Sequence, residues 1–174
     1  VSGSVTFINL EGTRPILIEI QALVDKSMLP NPKRLTVGTD SQRLTMLLAI
    51  LHRHVSLATY DQDVFLNAVG GIKITETASD LPVLISIVSS MTNHAVSNKT
   101  AMFGEVGLGG EIRPVSRGQE RIKEAAKLGF TRIIVPKKNK VADLPGVEIV
   151  PVENLREAVK AVFGSQASQT ESFD

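Results

Sequence analysis

Residues 100–136 read TAMFGEVGLGGEIRPVSRGQERIKEAAKLGFTRIIVP, and the order of signals in this stretch decides the fold class. Short apolar runs, Thr100–Phe103 and Glu111–Arg113, flank a turn carrying glycines at 104, 107, 109 and 110. Glycine supplies the positive φ angles that tight hairpins need, so the expectation is a hairpin turn. The same glycines do not fit Gly-x-Gly-x-x-Gly, and no Gly-x-x-x-x-Gly-Lys-Ser/Thr occurs, so no nucleotide phosphate loop is expected. Arg117–Leu128 then reads as a helix closed by Gly129, and Arg132–Val135 as a strand rich in β-branched residues.

Outward from this centre the alternation continues. Val147–Val150 reads as a strand and Val152–Phe163 as a helix with Leu155, Val159 and Val162 on one face. Toward the N-terminus, Val5 and Phe7, then Ile16, Ile18 and Ile20, alternate around Glu11-Gly12-Thr13-Arg14-Pro15, which predicts a hairpin of two long strands. Pro30-Asn31-Pro32 breaks the chain and puts Lys33 and Arg34 on an exposed loop. Leu44, Leu47, Leu48 and Leu51 fall at i, i+3, i+4 and i+7, an amphipathic helix over 41–54 behind the caps Thr39, Asp40 and Ser41. Asp63–Val69 is a strand, bent at Gly70-Gly71 and continued by Ile72–Thr75. Ser79 or Asp80 caps a helix whose run Val83–Met91 is apolar or small throughout, hence buried. The class is α/β with mixed sheets. One domain spans 1–163, and 164–174 is a polar, flexible tail.

Composition bounds function. The chain has 174 residues, enough for one core. It has no cysteine, which excludes a disulfide framework and a thiolate zinc site and fits a reducing, cytoplasmic compartment. No apolar run approaches the ~20 residues that span a bilayer, so no membrane partner is expected. Val1 is not an initiator methionine, and strand-like sequence follows it at once. The chain therefore reads as a fragment of a longer protein. His52 and His54, two apart on a helix, face different ways and make a poor metal pair, and no metal site is expected. Net charge is only +1, but residues 113–140 hold nine Lys or Arg against Glu120 and Glu124, a segregation that the total conceals. Along this helix Arg117, Arg121 and Lys127 could pair with those two acids or face a neighbouring subunit.

The run Phe103–Pro114, the helix after it and Arg132–Pro136 together resemble the proteolytic domain of the Lon proteases. They resemble more closely the Lon-like C-terminal domain of the RadA (Sms) family of bacterial DNA-repair proteins. Gly3–Phe7, Glu11–Pro15, Glu19–Val24, Asp40-x-x-Arg43-Leu44, Gly70–Lys73 and Glu120–Phe130 share the resemblance, which covers nearly all of 1–163. Lon proteases use a Ser-Lys dyad, in which a lysine of lowered pKa takes the serine proton. Carried across residue by residue, the serine position holds Ala78 and the lysine position Gln119, so the resemblance implies a Lon-like fold without the dyad and no peptidase catalysis.

It further implies a homo-hexameric ring, single-stranded DNA as partner in recombination and branch migration, and the recombinase RecA as a partner of the whole protein. A RecA-like motor using ATP and Mg, with a zinc finger, would lie N-terminal to Val1, and no cofactor is expected in this fragment. Phosphate contact needs long cationic side chains. Arg34, on its loop, Arg43, a cation in a helix first turn where the dipole disfavours it, and Lys73, behind two glycines, are the first candidates. Lys33 and Arg117 are the next. Asp40 is the intramolecular alternative for Arg43.

Overall fold

The structure is a computed structural model, described here for residues 1–164; the expected tail beyond Gly164 lies outside the described residues. Strands β1 (Ser4–Glu11) and β2 (Arg14–Lys26) form the expected antiparallel hairpin, in register from Ser4 opposite Gln21 to Glu11 opposite Arg14. That register leaves Gly12 and Thr13 as a two-residue turn, with Gly12 at φ +61°. The further strands are β3 (Arg34–Val37), β4 (Gln62–Ala68), β5 (Thr100–Met102), β6 (Glu105–Val106), β7 (Ile112–Arg113), β8 (Arg132–Pro136) and β9 (Glu148–Val152). Seven of them make one mixed sheet in the order β3-β4-β2-β1-β5-β8-β9, and β6 and β7 make a separate two-stranded ribbon. The helices are α1 (Ser41–Val55), α2 (Asp80–Thr92), α3 (Gly118–Lys127) and α4 (Leu155–Phe163), with a 3₁₀ turn at Thr77–Ser79 before α2 and another at Lys137–Asn139.

Both faces of the central strands are covered. Phe7 and Ile8, which point to opposite faces of β1, are both fully buried, as are Ile133 and Ile134 of β8. Helix α2 packs along β1 and β2 and is buried from Asp80 to Ser89. Its serines serve the strands: Ser89 Oγ accepts from Gly3 N at 2.8 Å and Ser90 Oγ from Val24 N at 2.9 Å. Helix α1 buries Leu44, Leu47, Leu48 and Leu51, the predicted stripe, and also Val55. Asp40 is its N-cap, accepting from Gln42 N at 2.8 Å and Arg43 N at 3.2 Å.

Five expectations need correction. Lys33 is exposed in the connection before β3 as expected, but Arg34 is not on the loop: it opens the short strand β3, parallel to β4, and is half-buried. Ile72–Thr75 does not prolong β4; Gly70 (φ +93°) and Gly71 (φ +70°) turn the chain out of the sheet, and Ile74 N instead donates to Gly38 O at 2.7 Å. The glycine-rich turn joins Glu105–Val106 to Ile112–Arg113, while Thr100–Met102 belongs to the main sheet between β1 and β8. Neither Ser79 nor Asp80 caps α2 through its side chain; Ser79 Oγ donates to Glu76 O at 2.9 Å, and the Asp80 carboxylate bonds to Arg43 and Val106 N. The last helix starts at Leu155 behind the cap Asn154, because Val152 completes β9.

Gly38 holds two segments together. It sits at φ +81°, and a Cβ there would lie 2.5 Å from Ile72 O and 2.8 Å from Ala68 Cβ. Gly38→Ala is therefore expected to destabilise the fold by more than ~1 kcal/mol, read as a lower urea midpoint with an unchanged slope.

Candidate nucleic-acid interface

The segment around Ala78 is built into the core from both sides. Ala78 is 2% exposed, and its carbonyl accepts from Gly104 N at 2.8 Å while Leu81 N donates to Gly104 O at 3.0 Å. These two bonds stitch the Gly-Glu turn to the start of α2. Gln119, at the other expected dyad position, is exposed in the first turn of α3.

Near this segment lie two arginine–carboxylate pairs that the sequence alone does not announce. Arg121 is completely buried. Its Nη1 and Nη2 donate to Glu76 Oε1 and Oε2 at 2.6 and 2.8 Å, Nη1 also donates to Ile8 O at 2.9 Å, and Nε donates to Ser116 O at 2.9 Å. The guanidinium carbon stands 5.6 Å from the centre of the Phe103 ring. Glu76 Oε1 additionally accepts from Leu10 N at 2.8 Å. The expected helix-surface pairing of Arg121 with Glu120 or Glu124 is thus corrected. The signal was present: Gly118, Arg121, Ile122 and Ala125 lie at i, i+3, i+4 and i+7, and all four are buried.

The second pair joins α1 to α2. Arg43 Nε donates to Asp80 Oδ1 at 2.7 Å and Nη2 to Oδ2 at 2.5 Å, and Val106 N donates to Oδ2 at 3.0 Å. Asp80 is 1% exposed and Arg43 28%. Burial pushes the Asp80 carboxyl above the usual range, with the Arg43 guanidinium and the Val106 N–H opposing it. Asp40, the partner expected for Arg43, caps the helix backbone instead.

Among the five cations expected to contact phosphate, Arg43 is therefore engaged with Asp80. Arg34 is engaged with backbone oxygens: Nη1 with Gln62 O and with Lys33 O at 3.3 Å, and Nη2 with Thr59 O at 2.8 Å. Lys33, Lys73 and Arg117 are exposed, and among the described residues none of them forms an ion pair. Lys73 follows Gly70-Gly71, where an added Cβ would meet nothing within 4 Å, so those glycines serve the positive φ rather than a close approach. His54 is half-buried, with Nε2 2.8 Å from Leu108 O. No described helix is long and apolar enough to cross a membrane.

A mixed sheet with a helix buried behind it and a Gly-Glu ribbon stitched to that helix defines a Lon-like domain, and comparison with known proteins narrows the class. Residues 46–139 match the family model described as subunit ChlI of Mg-chelatase, and the chain belongs to that family. It is also homologous to bacterial DNA repair protein RadA. It is 54% identical over 164 residues to DNA repair protein RadA of Pseudomonas aeruginosa (94% of this chain, 36% of the relative). To DNA repair protein RadA of Escherichia coli it is 54% identical over 159 residues (91% and 35%), and to that of Bacillus subtilis 43% over 165 residues (94% and 36%). The chain thus spans about 36% of the length of such relatives.

Removing one partner of the Arg121–Glu76 pair strands a buried charge. Glu76→Ala is expected to cost ~3–5 kcal/mol, while Glu76→Ala combined with Arg121→Met recovers much of it. Urea denaturation of both variants measures the coupling, and additive costs would refute the pairing.

Proposed function

We infer that this chain is the Lon-like domain of a RadA-type DNA-repair protein, without peptidase activity, that carries ring assembly and contacts single-stranded DNA. The observation supporting the loss of peptidase chemistry is the setting of Ala78: a buried methyl group stands at the serine position, flanked by Glu76 and Asp80, each held by an arginine. A serine–lysine mechanism needs a hydroxyl there and a neutral amine beside it. The exposed amide of Gln119 supplies no base. A fluorophosphonate probe is expected to leave Ser79 and Ser41 unlabelled.

DNA contact in this reading falls to the cations whose donors are not already engaged, Lys33, Lys73 and Arg117, with Arg34 and Arg43 shaping the surface that carries them. Bonding is to the phosphate backbone and tolerant of sequence, since a single tyrosine and six phenylalanines give little to stack on, and Phe7 and Phe103 are buried. The motor with its ATP, Mg and zinc finger belongs to the rest of the longer protein, as does the link to RecA, and the setting is the cytoplasm.

Assembly with further copies is favoured by one feature. On the outer face of β3, β4 and β2, Leu35, Phe65 and Leu23 stand side by side in register, with Leu35 56% and Leu23 59% exposed and Val37 beside them at 55%. A contiguous exposed apolar row of this kind marks an association surface. It lies at the β3 edge of the sheet, within reach of a neighbouring copy.

In the full-length protein, Lys33→Ala, Lys73→Ala and Arg117→Ala together are expected to lower the slope of log affinity against log salt for an oligo-dT strand by about 2, at roughly 0.7 for each phosphate no longer neutralised. Fluorescence anisotropy between low and moderate salt reads this slope, and an unchanged slope would remove the DNA assignment.

A further inference from the structure

Arg117 has an unusual backbone. It stands at φ +56°, ψ +39°, the left-handed region that L side chains enter reluctantly, and it is one of three non-glycine residues there among the described residues. The other two, Ser56 and Asn93, close helix C-termini, where this conformation is common. Arg117 instead precedes a helix, as the N-cap of α3, and its side chain makes no capping bond. Strain of this kind persists only where the surroundings impose it.

The surroundings are Asn139. Its Oδ1 accepts from Val115 N at 2.8 Å and its Nδ2 donates to Val115 O at 3.1 Å, so the side-chain amide pairs with the backbone of Val115 as a neighbouring strand would. Gly118 makes room for it: a Cβ there would lie 2.7 Å from Asn139 Nδ2. Residues 115 and 118 are thus both held against one side chain, and the chain between them must turn sharply, which places Arg117 in the left-handed well.

Asn139 itself lies in the Lys137–Asn139 turn, between Lys138 and Lys140, with Lys140 N bonded to Lys137 O at 3.1 Å. Lys137 is occupied by Glu153 at 2.5 Å, a contact that raises the lysine and lowers the glutamate. Lys138, Lys140 and Arg117 are exposed, and among the described residues none of the three forms an ion pair. The clamp therefore brings two basic turns, 24 residues apart in sequence, against each other.

We propose that Arg117, Lys138 and Lys140 form one phosphate-binding rim for a nucleic-acid strand, and that Asn139 is its positioning residue. This rests on the DNA-contacting reading above, which already includes Arg117, and extends it with Lys138, Lys140 and Asn139. A glycine at 117 would relieve the backbone at no cost in packing, since the side chain is exposed. The arginine there is accounted for by a ligand that needs its charge. Clustered, unpaired cations suit the successive phosphates of a strand, which repeat at a spacing one isolated cation cannot match.

The test uses the full-length protein and an oligo-dT strand, with affinity followed against salt. Lys138→Ala/Lys140→Ala is expected to lower the salt slope by about 1.4. Arg117→Gly is expected to lower it by about 0.7 while raising the melting temperature, opposite signs that a merely structural residue would not give. Asn139→Ala is expected to lower the slope with all three cations still present. If Lys73→Ala lowers the slope and the Lys138/Lys140 variant does not, the rim is wrong and the DNA reading stands. If neither changes it, the DNA reading itself falls. Competition by inorganic phosphate at the same ionic strength as chloride controls would overturn the strand as ligand and leave a site for free phosphate.

Discussion

The buried guanidinium of Arg121 is the constraint around which the rest is arranged. A fixed positive charge with no solvent contact must find acceptors inside the protein, because leaving it unpaired costs several kcal/mol. It finds Glu76, Ile8 O and Ser116 O, and through Glu76 it reaches Leu10 N. Three segments distant in sequence thus meet at one group: strand β1, the turn before α2, and helix α3 with the Pro114–Arg117 turn that leads into it. Phe103 closes the set with its ring near the guanidinium carbon. An apolar replacement of similar volume could pack as well. What the pair adds is direction, since a bidentate fork admits one orientation of α3 against the sheet.

The same distinction between fork and point charge separates the internally held arginines from the exposed lysines. Arg34, Arg43 and Arg121 hold planar donors in fixed geometry and are used internally, on carbonyls or carboxylates. Lys33, Lys73, Lys138 and Lys140 are exposed at turns and strand ends, and Lys137 pairs only with an exposed glutamate. Arginine suits the first task because its guanidinium is weakly hydrated and pre-organised; lysine suits a mobile, hydrated contact with phosphate. Arg117 is exposed, as Arg14, Arg53 and Arg156 are, and among these it is the one whose backbone is held in the left-handed region.

Periodic features are readable from the sequence and non-local ones are not. The β1–β2 hairpin, helix α1 with its cap Asp40 and the buried helix α2 follow from spacing within each segment. Strand β3 escapes such a reading because four residues behind a proline-rich break carry no periodic signal, and only the free edge of β4 makes them a strand. The glycine-rich turn is recognisable, but which strands it joins depends on β5 being held between β1 and β8. Arg121 misleads because its charge outweighs its position on the buried stripe of α3. Asp80 looks like a cap, and only the fold brings Arg43, 37 residues away, to its carboxylate.

Together the two pairs explain how the Ala78 segment keeps its place. Glu76 and Asp80 lie two residues to either side of Ala78, and each is tied to a different helix, the first to α3 through Arg121 and the second to α1 through Arg43. The Gly104 backbone fixes the segment a third time, through Ala78 O and Leu81 N. A segment that had to present a nucleophile would need one solvent-reachable hydroxyl and a neighbouring base. This one presents a methyl group to the core and directs its charged neighbours into structural pairs. Its geometry is maintained by packing and by charge pairing, with each carboxylate held by an arginine from a different helix.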